Sequence, residues 1–197
     1  MNSPQSQQYQ GLLIVEHALN IYEYTKTLED KGITSVSGFM LDMYPDYDLM
    51  DEGISPDTFY DDYKYFDKYS KYYKFIEKQL FGGMRGRVLG VYDLRLDKVP
   101  IIFCSKQTIP IGNHDIYPFK SMRLTPYGCA LKHYKFLSTD AEIYKQRAKD
   151  NNSGYTSFES QQKYLELLGR NVRDEYSVEY VDSKTLNLFP FLTDYMR

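Results

Sequence analysis

Apolar positions Ile14, Ala18, Ile21, Tyr22 and Leu28 recur at three- and four-residue steps between Gly11 and Lys31, a spacing that predicts an amphipathic helix closed by Gly32. The period then changes. Val36-Ser37-Gly38-Phe39-Met40-Leu41 reads as a strand within Ile33 to Tyr44 and runs into Asp42-Met43-Tyr44-Pro45, so helix, glycine, strand and acidic loop form one α/β unit. Asp46 to Asp62 is acidic and turn-rich, with Gly53 and Pro56, and reads as a long surface loop or lid.

Tyr63 to Lys78 sets Tyr63, Tyr65, Phe66, Tyr69, Tyr72, Tyr73 and Phe75 among lysines. Such interleaving can bind single-stranded nucleic acid, but Asp61, Asp62, Asp67 and Glu77 offset the charge, which favours an amphipathic segment packing its rings. Further on, Val88 to Leu96 alternates loosely and Val99 to Cys104 is a compact apolar run, with Pro110, Gly112 and Pro118 marking loops. Cys129-Ala130-Leu131 leads into His133 and Lys135, which alternation places on one face of a strand.

Ser138-Thr139-Asp140 supplies N-cap chemistry for a helix to Lys149, Asn151 to Gly154 breaks it, and Tyr155 to Leu168 predicts another helix ending at Gly169. Glu175 to Val181 reads as a late strand. With no internal repeat and no linker, residues 11–197 form one domain behind a polar tail, residues 1–10. The expected class is α/β to α+β, one mixed sheet of short strands flanked by helices.

Charge and composition narrow the function classes. A formal net charge of −3 gives no global positive field for nucleic acid or anionic lipid, so a polyanion would need a local basic patch. The 21 tyrosines, against no tryptophan, supply rings with polar tips that suit both cores and sugar-stacking surfaces. Cys104 and Cys129 lack C-x-x-C spacing, which supports neither a thiolate zinc site nor a disulfide scaffold. No run approaches the roughly 18 apolar residues of a membrane helix, and the Ser/Gln-rich start lacks a signal peptide's basic and apolar regions, so a cytoplasmic chain is expected.

Candidate chemistry lies mainly between Phe81 and Phe136. Gly82-Gly83-Met84-Arg85-Gly86-Arg87 can aim backbone N–H groups and guanidinium forks at phosphate or carboxylate, and its plainer reading is a glycine-rich hairpin with two solvated arginines. His133 and Lys135 on one face offer an imidazole to a metal and an ammonium to phosphate, or else a hydrogen-bonded histidine beside a solvated lysine. His114 with Asp115 has the same two readings. Asp46-Tyr47-Asp48, with Asp42 upstream, has the spacing of a carboxylate pair for a hard cation, in a loop where such spacing also arises by chance.

Taken in order, Leu41-Asp42-Met43-Tyr44-Pro45, Tyr65-Phe66-Asp67, Gly82 to Arg87, Asp97-Lys98-Val99-Pro100-Ile101, His114, Ala130-Leu131-Lys132-His133-Tyr134-Lys135-Phe136 and Glu175-Tyr176-Ser177-Val178 resemble the C-terminal half of bacterial family-2-like glycosyltransferases. The resemblance covers about residues 11 to 192 and implies a nucleotide-diphospho-sugar transferase fold, of which this chain would carry the acceptor-side half. It also implies that the nucleotide-binding half, with its Asp-x-Asp metal loop, lies outside this chain, so that the chain alone would be inactive. The partners implied are a nucleotide-sugar and a glycan acceptor, with Mn²⁺ or Mg²⁺ as cofactor.

By the same resemblance, His133 completes the metal shell and Lys135 neutralises the leaving diphosphate, Arg85 and Arg87 flank the diphosphate or an anionic acceptor, Lys98 is structural or joins that cluster, and His114 faces the acceptor. Asp42 and Asp115 are the candidate acceptor-activating bases. The second class of function is a non-catalytic module binding a glycan or a protein through the tyrosine-rich surface and Arg85, Arg87 and Lys135. Apolar surface left bare by the absent half predicts a homodimer or another form of edge protection.

Overall fold

The computed structural model describes residues 12–13, 21–51, 58–75, 79–92, 94–103, 109–112, 114–118, 127–149 and 158–192. The 1–10 tail and Cys104 lie outside them. Within them the chain is α+β, built round a four-stranded mixed sheet. Its strands are β1 (Leu12–Leu13), β2 (Ser35–Met43), β6 (Asp97–Ile102) and β9 (Tyr127–Tyr134), in the order β1-β9-β2-β6. β9 runs parallel to β2 and antiparallel to β1, while β6 is antiparallel to β2.

Strand β2 is buried along almost its whole length, which explains why it reads as a continuous apolar run rather than an alternation. Helix α1 (Ile21–Asp30) lays Tyr24 and Leu28 over a small cluster with Val36 and Cys129. A larger, aromatic core holds Phe39, Leu41, Tyr63, Phe66, Tyr164 and Phe189. Phe39 meets Tyr72, Tyr127, Phe189 and Phe191 edge-on at centroid distances of 4.9 to 6.5 Å, the arrangement that aromatic quadrupoles favour. The tyrosine excess thus goes largely into packing.

Three predicted elements take a different form. The helix expected from Gly11 is a strand at Leu12–Leu13 and a helix from Ile21, with residues 14–20 outside the described set. Leu12 and Leu13 pair with Lys132 and Leu131, so a neighbouring strand overrides the local period. The aromatic run from Tyr63, described as far as Phe75, follows a short helix α2 (Phe59–Asp62) and divides into β3 (Tyr65–Asp67), a 3₁₀ turn (Tyr69–Lys71) and β4 (Tyr72–Phe75).

The glycine-arginine segment differs most. β4 pairs with β5 (Gln79–Gly82), and the chain turns at once into helix α3 (Gly83–Leu89), so Val88 and Leu89 end a helix instead of starting a strand. Gly82 has φ +103, and a Cβ there would stand 2.2 Å from the Lys71 carbonyl oxygen, so only glycine fits this strand-to-helix corner.

A hairpin of β7 (Ile109–Ile111) and β8 (Asp115–Tyr117) follows β6. Helices α4 (Asp140–Lys149) and α5 (Phe158–Leu165) pack together, and β10 (Ser177–Glu179) pairs with β3. The late strand and both C-terminal helices fall where the sequence puts them.

Candidate functional site

The parallel register of β2 and β9 sets Asp42 directly beside His133. Asp42 is 2 % exposed and makes two charge-assisted contacts: Arg85 Nε donates to Oδ2 at 2.7 Å, and His133 Nδ1 lies 2.8 Å from Oδ1. Burial raises the Asp42 carboxyl pKa, but the Arg85 guanidinium and the His133 hydrogen bond outweigh it and hold the group well below the usual carboxylate range. Asp42 is therefore an acceptor, which requires that His133 carry its proton on Nδ1 and leave Nε2 with a lone pair. Burial pulls the His133 pKa below 6.5 despite Asp42, so the ring is neutral at pH 7.

Arg85 is 4 % exposed and comes in from α3, with the Tyr164 hydroxyl of α5 beside its guanidinium. Lys135 follows the end of β9 and enters the same cluster, as alternation predicts. Its ammonium sits 4.2 Å from the Tyr164 ring centroid and 5.8 Å from that of Tyr144. No carboxylate forms an ion pair with it among the described residues. Burial, with the like charge of Arg85, pulls the Lys135 pKa from 10.5 to about 7.

A second cluster takes Arg87 elsewhere. On a helix, residues two apart face away from each other, and Arg87 reaches Asp67 of β3 through Nε and Nη2, both at 2.8 Å. It also donates to Asp174 at 2.5 Å and to the Val172 carbonyl at 3.0 Å. The Tyr44 hydroxyl donates to Asp67 at 2.7 Å. Arg85 and Arg87 therefore do not converge on one anion, and Arg87 pins the 172–177 segment to β3.

A third cluster holds Lys98, His114 and Asp115. Arg95 contacts Asp97 and Asp115 at 2.5 and 3.0 Å, which occupies the second candidate base. His114 Nδ1 donates to the Asp97 carbonyl at 2.6 Å and Nε2 accepts from Lys98 at 3.2 Å. Burial and the Lys98 charge lower the His114 pKa. Burial and Arg85 lower that of Lys98, so this cluster lies within electrostatic reach of the first.

Of the predicted residues, the structure brings Asp42, Arg85, His133 and Lys135 together, keeps Lys98, His114 and Asp115 as a neighbouring group, and sends Arg87 to a structural pin. No local pattern marks Tyr144 and Tyr164, which long-range packing alone delivers to the cluster. Arg95 was legible in principle, since Arg95-x-Asp97 sets opposite charges two residues apart in an extended segment.

A metal finds one oriented imidazole here. A histidine whose other nitrogen is held by a carboxylate is a common metal-ligand arrangement, but no group of three or more His, Cys, Asp or Glu gathers among the described residues. His133 offers one ligand, and these residues do not by themselves form a metal cage; Asp46 and Asp48 stand apart, Asp46 beside Arg173 at 3.5 Å. No helix among the described residues is long and apolar enough to cross a membrane. No family model, curated protein or solved structure matches the chain.

Proposed function

We propose that this chain is the acceptor-side part of a family-2-like glycosyltransferase, and that Arg85, Lys135 and His133 receive the diphosphate of a nucleotide-sugar. The observation that supports this is the convergence, round Asp42, of a fixed guanidinium, an amine with no ion-paired carboxylate among the described residues, and an imidazole with Nε2 left over. Preorganised charge of this kind stabilises a departing diphosphate without reorganisation at the moment of reaction.

In this reading Asp42 is a positioning residue. Both its oxygens are engaged, so it fixes the His133 tautomer and the Arg85 fork instead of taking a proton from the acceptor. His133 Nε2 is the group placed to accept that proton, or to give one ligand to a divalent metal held mainly by other residues. Lys98 extends the positive side of the site, and the glycan acceptor and the homodimer remain parts of the proposal.

Calorimetric titration with uridine diphosphate, with and without Mn²⁺, tests it on the wild type, His133→Ala and Lys135→Ala. The expected result is millimolar or tighter binding that each substitution weakens at least tenfold. An absence of heat at millimolar nucleotide, or binding indifferent to both substitutions, overturns it.

A further inference from the structure

A second feature, an exposed pair of tyrosines, stands on the β4–β5 hairpin and α3. Gly86 on α3 and Gly90 at its C-terminal cap leave a bare strip, and the Tyr92 ring lies on it. A Cβ at Gly86 would meet Tyr92 at 3.3 Å, and one at Gly90 would meet it at 3.9 Å. Tyr73 pairs across the hairpin with Phe81, the two rings stacked at 5.6 Å with planes 16° apart. The Tyr73 hydroxyl donates to the Tyr92 carbonyl at 2.7 Å, which joins the two units.

Each of these tyrosines is thus backed and held, yet Tyr92 is 57 % and Tyr73 38 % exposed. Their centroids are 6.1 Å apart and their planes meet at 52°. A ring that is packed on one side and wet on the other is already ordered, so a ligand stacking on it loses little side-chain entropy. The alternation that turns Tyr72 inward turns Tyr73 outward, so this corner is distinct from the Arg85–His133 cluster.

We propose that the Tyr73–Tyr92 corner binds a neutral oligosaccharide, the C–H faces of successive pyranose rings stacking on the two phenols. Two rings fall far short of the roughly 800 Å² per partner that a stable protein interface needs, which argues against a second copy or another folded protein. A nucleic acid is disfavoured because the chain is acidic overall and because Lys74, next to Tyr73, turns to the Tyr127 and Phe191 rings. A pyranose needs only a flat apolar face and hydroxyl partners at its rim, and exposed tyrosine supplies both.

Saturation-transfer NMR tests this with maltohexaose, cellohexaose and a β-1,6-linked glucan hexamer, each at millimolar concentration. At least one should receive saturation at its axial C–H protons. Tyr92→Ala should weaken that binding about tenfold, in line with the loss of one ring contact. Tyr92→Phe, which keeps the ring and loses the hydroxyl, should weaken it less than Tyr92→Ala does, and Gly86→Ala, which lifts the ring without removing it, should weaken it. His133→Ala should leave it unchanged. No saturation for any of the three sugars, or equal saturation of wild type and Tyr92→Ala, overturns the proposal. Glycan binding with no nucleotide binding would sink the transferase reading and leave this surface standing.

Discussion

Lys135 is held in a place that costs stability, and replacing it measures that cost. Its ammonium lies among Tyr164, Tyr144 and Phe136, shares the cluster with Arg85, and has Asp42, Asp140, Arg147 and His133 as its other charged or titratable neighbours. In the unfolded chain the amine keeps its proton up to about pH 10.5, and in the folded chain only up to about 7. Between those values the unfolded state binds more protons, so stability rises with pH across that window. Below pH 7 the full penalty applies, about 5 kcal/mol at about 1.4 kcal/mol per pH unit.

Lys135→Met keeps the length and apolar body of the side chain and removes the amine. At pH 6 the variant should be more stable than wild type by about 2 to 4 kcal/mol, since some of the lost cation–ring attraction offsets the gain. At pH 9.5 most of the difference should be gone. Urea unfolding followed by far-ultraviolet circular dichroism at both pH values reads this directly, with equal denaturant slopes required for the comparison. A variant equally destabilised at both pH values would show that the amine is paired and charged in the fold, and the argument for a vacant cation would fail. A stabilised variant that has lost uridine diphosphate binding would mark Lys135 as a residue kept for its ligand at the expense of the fold.

Asp42→Asn leaves Arg85 buried without its counter-charge and should destabilise the chain by about 3 to 5 kcal/mol, measured by thermal or urea unfolding. Gly82→Ala should cost about 3 kcal/mol or more, since a Cβ meets the Lys71 carbonyl at 2.2 Å, whereas Gly112→Ala, with φ +66 and nothing within 4 Å, should cost only about 1 kcal/mol in the same assay. Nitrogen-15 NMR should find His133 and His114 both as Nδ1–H tautomers titrating below pH 6.5, and each therefore subtracts stability as pH falls below that value. Tyr72→Phe removes a buried hydroxyl that has no partner among the described residues and should be neutral or stabilising by up to about 1 kcal/mol in unfolding measurements.

Periodicity located β2, β9, the two C-terminal helices and the late strand, because each owes its form to a run of residues that agree with one another locally. It also set His133 and Lys135 on one side, since strand alternation survives whatever the strand packs against. It misplaced the start of the first helix, where pairing with β9 outweighed the helical spacing. The plainer of the two readings of Gly82 to Arg87, a hairpin, fails because Gly82 and Gly83, both at positive φ, turn the chain straight into α3.

The candidate site depended on tertiary structure for a different reason. The residue types were visible in the chain, but whether an arginine is a ligand or a pin depends on which carboxylate it meets. Asp42 and His133 are 91 positions apart and meet only through the parallel β2–β9 register. Arg85 and Arg87 look equivalent in sequence, and the turn of α3 sends one to Asp42 and the other to Asp67. Local sequence determined the elements and the reactive groups they carry. Long-range packing decided which charges pair with one another and which, like Lys135, meet aromatic rings with no ion-paired carboxylate among the described residues.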